Sequence, residues 1–353
     1  MPLFMDFHKF DRVTVEEVKT AHIADQAIQD QYGVRYLQFW VNEEAGTVFC
    51  LTEGPDKESC ELVHKMAHGN TACALVEVEP GFYKMMMGEQ HHLDHGLVSK
   101  EDGTLDLGYR TILCVRTNMI SGRPDESDAK ETVAERINFF NGRLVRWDHD
   151  ESVVGVFNDS IDAIKCATAL QKVAAKQKFS VRIGVATDQP VTKDGDFFSE
   201  AIQHANHLSV TARENEIIIT NLTKRLIPEG VIKSGEKMIH LIDEPDLALL
   251  SSFLLTTERH LADESFTIDS LCHEVGLSRP QLYRKITSLS GRAPNDFVRD
   301  IRIEKARTLL KRKTGNISQV AMQVGYNNPS YFAKCFTEKY GITPSKFVQQ
   351  SGR

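Results

Sequence analysis

Three histidines and a cysteine near the start of this sequence carry side chains suited to metal chemistry. His64 and His68 stand four apart in KESCELVHKMAH, a stretch of helical periodicity stopped by Gly69. On a helix that spacing puts both imidazoles on one face, a turn apart, as two ligands of one divalent ion require. An earlier helix carries His22 and Asp25, and a hairpin carries Cys50 and Glu53. Helices packed side by side on a sheet would bring these groups together. Imidazole and thiolate donors suit nickel, zinc or copper. A plainer reading stands beside this one. A histidine in the last turn of a helix is favoured by the dipole without any metal, and His22, four residues after Val18, fits a packed core.

A second constellation lies near the other end. RPQLYRK and NNPSYFAK each put polar residues on one side of a short helix. The first offers Arg279, Pro280, Gln281, Tyr283 and Arg284; the second offers Asn328, Ser330, Ala333 and Lys334. Arginine and glutamine make bidentate contacts to guanine and adenine edges, whereas Pro280 and Ala333 offer apolar contact with a thymine methyl. For any single arginine a phosphate contact is the alternative, because half or more of such hydrogen bonds go to the backbone.

The elements that must position these groups follow from the pattern. At 353 residues, 41% apolar and 26% charged, the chain is long enough for two or three globular domains. No apolar run approaches the roughly 18 residues of a membrane span, and the charged start MPLFMDFHKFDR lacks a signal-peptide core. Seven scattered cysteines predict a reducing cytoplasm and no disulfide framework. Net charge is −7, unevenly spread: Leu247–Arg353 holds 16 Lys/Arg against 9 Asp/Glu, and the rest 26 against 40. A basic module on an acidic body fits phosphate binding by the module alone.

Residues 1–82 read as βαββαβ, a ferredoxin-like α+β domain. Thr14 and Glu17 form a capping box, and VRYLQFWV and GTVFCLTE a hairpin. Residues 83–108 have turn residues and no period. They read as a linker or as a short helix whose methionines pack, with Met85–Met87 and His91, His92 and His95 a possible soft-metal set. Residues 109–230 alternate strands and amphipathic helices, an α/β arrangement with a mixed sheet. VIKSGEKMIHLIDEPDLALL reads as a transition, with a helix from Leu247 to Leu261. Residues 246–353 are all-α, two helix-turn-helix units turning at Gly276 and Gly325 and joined by the helix NDFVRDIRIEKARTLLKRK.

Three resemblances accompany these readings. MPLFMDFHKF, the AHIADQ helix, GVRYLQFWVNEEAGTVFCLTEGPD and VHKMAHG resemble the small domain typified by nickel-binding ferredoxin-like proteins. That implies a dimerising domain with a metal or small-ligand site on His22, His64, His68 and Cys50. TILCVRTNMIS, NGRLVRWDHDESVVGVF, DAIKCATALQ, VRIGVATDQPV and AIQHANHLSVTARENEIIIT resemble a class III nucleotidyl cyclase domain. Cyclase chemistry needs two acidic residues for two metal ions. By position they fall on Arg116, which cannot ligate metal, and Glu151; the family's catalytic Asn and Arg fall on Gln203 and His207. The expectation is therefore no enzyme but a scaffold, or a pocket of Arg116, Glu151, Gln203 and His207 that keeps an effector. VAMQVGYNNPSYFAKCFTEKYGITPSKF and RIEKARTLL resemble the AraC family of transcription regulators. That implies two recognition helices in successive major-groove segments, with Pro280, Gln281, Tyr283, Arg284, Ser330, Ala333 and Lys334 facing bases. The whole then reads as a homodimeric regulator that binds a double-stranded operator and answers to a metal ion or small molecule. The competing reading is a cyclase tethered to DNA.

Overall fold

The computed structural model describes residues 1–88, 91–92, 94–119, 126–145, 152–177, 179–192, 196–232 and 238–350. Glu151 lies outside them. The chain opens with β1 (Leu3–Lys9), α1 (Val15–Ile28), β2 (Arg35–Asn42), β3 (Thr47–Glu53), α2 (Lys57–Ala67) and β4 (Ala74–Val78). Its sheet has the order β2-β3-β1-β4, antiparallel throughout. This is the expected ferredoxin-like domain, and its helix ends are written locally. Thr14 and Glu17 close a capping box on α1, and Asp56 accepts from the Ser59 amide at the start of α2.

Along β1, successive side chains alternate between faces. Phe4, Val18 and Val63 belong to the core between the sheet and its helices. Met5, Phe7, Trp40 and Phe49 line the other face, which the chain itself covers. The cover is α3 (Pro80–Met87), through Met86 and Met87, together with Phe197 and Phe198 further on. The described residues of the 83–108 stretch include the end of α3 and a small ribbon of β5 (His91–His92) and β6 (Val98–Ser99). Met86 and Met87 are fully buried, so they pack as core instead of serving a metal.

Next come β7 (Arg110–Met119), α4 (Glu126–Phe139), β8 (Arg143–Val145), β9 (Ser152–Phe157), α5 (Ser160–Gln177), β10 (Phe179–Asp188), α6 (Ser199–Thr211), β11 (Glu216–Thr220), α7 (Asn221–Arg225) and β12 (Ile239–Ile242). The mixed sheet runs β12-β11-β10-β7-β9-β8. Its first six elements repeat the βαββαβ path of the N-terminal domain, with strands in the same spatial order. Helices α4 and α5 bury one face, around Val133, Ile164 and Leu170. Helix α6 lies on the other, so close that a Cβ at Gly184 would sit 2.1 Å from the Ala205 carbonyl oxygen. One element differs from expectation: IHLI, read as part of a transition, pairs in parallel with β11 as the edge strand β12.

The last third is helical: α8 (Glu244–Arg259), α9 (Ile268–Val275), α10 (Arg279–Ser290), α11 (Pro294–Lys311), α12 (Ile317–Gln323), α13 (Pro329–Tyr340) and α14 (Pro344–Gln350). Helix α8 begins three residues before Leu247, because Asp243 caps it and Pro245 is tolerated in its first turn. Its Leu250 and Phe253 join Leu271, Leu282 and Phe297 in one cluster with Leu208 and Ile218 of the middle domain. Val320, Val324, Phe332 and Phe336 form a separate core for the second unit.

Candidate metal centre and nucleic-acid interface

Helix α2 carries His64, and His68 is its C-cap residue; His64 Nδ1 lies 3.2 Å from His68 Nε2. The surrounding sheet and helix supply carboxylates. His64 Nε2 is 2.8 Å from Asp6 Oδ2 on β1, and Nδ1 is 3.1 Å from Asp25 Oδ2 on α1. His68 Nε2 is 3.2 Å from Asp25 Oδ1. His8 Nε2 lies 3.5 Å from Asp6 Oδ1, which also accepts from the Cys50 amide at 2.7 Å. Two sets of donors thus share His64: Asp6, His8, Cys50 and His64, and Asp25, His64 and His68, each set within 4.8 Å. A cavity of about 270 Å³ opens on them, its wall including Arg12, Glu17 and His22.

His22 lines that cavity without joining either set. Its ring packs on Phe39 at 4.6 Å and its Nε2 meets Gln26 at 3.2 Å. Its buried Nδ1 has no hydrogen-bond partner among the described residues. Glu53 is elsewhere, paired with Arg35 and the N-terminal amine. Asp6 and His8 went unnoticed in the sequence. Their alternation with Met5 and Phe7 was the available signal, because it turns both toward the helices.

Charge is tightly arranged here. Burial opposes ionisation of Asp6, but His8 and His64 outweigh it and hold the carboxyl well below the usual range. Burial likewise disfavours a charged His64, yet Asp25 and Asp6 push its pKa up to about 10. Burial lowers His22 to about 4, leaving a neutral imidazole at pH 7. Burial and Asp6 push the Cys50 thiol well up. Without metal, an imidazolium at His64 bridges two carboxylates. The mixed N, O and S donors, with an orphaned ring nitrogen at the cavity wall, fit a divalent transition metal.

In the helical domain α10 and α13 present the polar residues picked from sequence. Arg279, Pro280, Gln281, Arg284, Asn328, Ser330 and Lys334 are exposed, while Tyr283 and Ala333 are half-buried. Several have local duties as well. Gln281 Oε1 accepts from the Ser278 amide and hydroxyl in a capping box. Asn328 Oδ1 caps α13 through the Ser330 and Tyr331 amides, which makes it a positioning residue for that helix. Tyr283 accepts from Asn295 on α11, and Arg279 lies over its ring. Lys334 lies 3.9 Å from Glu338 on its own helix. Arg302 of α11 donates to the Asp263 and Gly325 carbonyls and braces the second unit.

The middle-domain set is brought together only in part. Arg116 meets Asn206 and Ser209 of α6, at 2.8 and 3.2 Å, and a carboxylate of α11, Glu304, at 3.7 Å. His207 turns to Ser251 of α8, and Gln203 is half-buried on α6. Helical geometry separates them: Asn206 and Ser209 share one side of α6.

Residues 271–350 match the family described as Helix-turn-helix domain, and residues 4–78 the family described as Nickel responsive protein SCO4226-like. Over 116 residues the chain is 38% identical to Histidine kinase P4 of Formosa agariphila, covering 33% of this chain and 8% of that protein. Over 91 residues it is 31% identical to HTH-type transcriptional regulator MtrA of Neisseria gonorrhoeae, covering 26% of this chain and 30% of that protein. SCO4226 from Streptomyces coelicolor A3(2), a crystal structure, is 36% identical over 22% of this chain and 94% of that chain, with a TM-score of 0.21. The chain thus spans less than a third of these two curated relatives' length. Its two ends are an SCO4226-like domain and an AraC-type helix-turn-helix domain. Among the described residues no helix is long and apolar enough to cross a membrane.

Proposed function

We propose that this chain is a sequence-specific DNA-binding regulator of transcription whose N-terminal domain binds a divalent transition metal, with nickel the first candidate. The observation that carries the DNA-binding part is the pair of helix-turn-helix units rigidly joined by α11, each with an exposed polar helix face. One chain can then lay α10 and α13 into successive major-groove segments on one side of a duplex, about one turn apart. The family description of residues 4–78 supports the choice of nickel.

In the N-terminal domain Asp6, His8, Cys50 and His64, or Asp25, His64 and His68, hold the ion. When bound, the metal supplies positive charge that offsets the two buried carboxylates. The protein's part is to give up the His64 proton and, if Cys50 joins, the thiol proton. Isothermal titration with nickel tests this against the double variant His64→Ala/His68→Ala. Unchanged stoichiometric binding by that variant overturns the assignment.

The middle domain is read as non-catalytic, because a cation stands where cyclase chemistry needs a carboxylate and is already tied to α6 and α11. A cyclase assay with magnesium or manganese checks it: turnover would favour the competing reading. A homodimer would have to use a surface other than the open face of the N-terminal sheet, which the chain itself buries. Selection from a pool of random duplexes tests operator binding. Enrichment of one recurring sequence supports the reading, and a pool that stays random contradicts it.

A further inference from the structure

Arg116 on β7 and Arg182 on β10 stand directly opposite one another across antiparallel strands. Like charges in that position repel, and both side chains are about nine-tenths buried. The pair needs an anion. In this structure the anion comes from the DNA-reading domain: Glu304, halfway along α11. Arg182 Nη2 reaches its Oε1 at 2.9 Å and Arg116 Nη1 its Oε2 at 3.7 Å. Lys339 of α13 donates to the same Oε1 at 3.0 Å. One carboxylate therefore links the middle-domain sheet to the connecting helix and to the second recognition helix. Arg182 also retains a buried Nε with no partner among the described residues.

We propose that the cross-strand pair Arg116–Arg182 is a phosphate-binding site of the middle domain, filled in cis by Glu304, so that a phosphate-bearing ligand and the Glu304 carboxylate exclude one another. Two guanidinium forks match phosphate oxygens better than they match one carboxylate, and a phosphate brings about two negative charges against one. Ligand and Glu304 use the same Nη atoms, so occupancy of one removes the other. The ligand's apparent affinity is then reduced by the fraction of molecules in which Glu304 holds the pair.

The test uses the full chain at low ionic strength, with inorganic pyrophosphate as the probe in calorimetry. Wild type is expected to bind weakly. Glu304→Gln keeps the shape and removes the charge. It is expected to bind pyrophosphate about tenfold tighter. Glu304→Asp, a milder change that keeps the charge, is expected to bind several-fold tighter, and Arg182→Gln to lose binding. A nucleoside triphosphate run alongside separates phosphate recognition alone, seen as equal affinity, from added base or ribose contacts, seen as higher affinity. Affinities of the two Glu304 variants no higher than wild type, or unchanged binding by Arg182→Gln, would overturn the proposal.

Discussion

His64 is held between Asp6 and Asp25, and its charge state sets the stability of the metal-free N-terminal domain. Its folded pKa lies near 10, above the ordinary 6.5. Its contribution is therefore full below about 6.5 and is lost as pH rises through 10. Asp6 has the opposite sign: its carboxyl is depressed from 3.8, so its contribution is full above that value and is lost on acidification. Thermal unfolding of metal-free protein should give the highest midpoint between about pH 4 and 6.5, with a decline toward pH 10 that His64→Gln removes. A variant with the same alkaline decline as wild type would contradict the bridge. On the DNA side, Arg284 is the exposed arginine in the middle of α10. Arg284→Ala should lose about 1–3 kcal/mol of discrimination at one base pair while keeping its affinity for random duplex; equal losses on both would assign it to phosphate. His64 and His68 were legible because helical spacing is a local property. Asp25, named beside His22, joins the cluster through helix packing, whereas Asp6 joins through sheet order, with its alternation along β1 as the one local signal. Gln281 and Asn328 were named as DNA contacts by type, and their side-chain oxygens also cap helix starts.

Among the elements, α8 and α11 matter most for how the parts communicate. Phe253 of α8 stacks on Phe297 of α11 at 5.3 Å, both fully buried, within the cluster that reaches Leu208 and Ile218. Phe253→Ala should destabilise by about 3–5 kcal/mol, measured by urea unfolding. The loss should appear in the transition of the middle domain and the first helix-turn-helix unit together, because they share this core. Separate, unshifted middle-domain unfolding would show that the two are independent. The helix-turn-helix units were readable because capping residues and helical apolar spacing coincide at Thr267, Ser278, Asn316 and Asn328. The strand β12 was not: four residues at a sheet edge, bounded by turn residues, carry too short an alternation to stand out. Helix α8 was placed late because Pro245 reads as a break, whereas the first turn of a helix has no hydrogen bond for proline to lose.

At the scale of the whole molecule, two βαββαβ modules of one topology stand in series, and a basic helix-turn-helix domain is packed on the second. Composition showed the charge contrast, 16 Lys/Arg against 9 Asp/Glu in the reader and the reverse balance elsewhere. It did not show that the N-terminal sheet's open face is buried inside the chain, because burial between domains leaves the same alternation as burial within one. A metal in the first module can influence DNA only if it favours one arrangement of the reader over another. The direct test is DNA affinity of the full chain for its selected sequence, measured with and without saturating nickel, in wild type and in His64→Ala. We expect nickel to shift the wild-type affinity by about 5–150-fold and to leave the variant unmoved. Identical wild-type isotherms in the presence and absence of bound nickel would contradict a metal-responsive regulator.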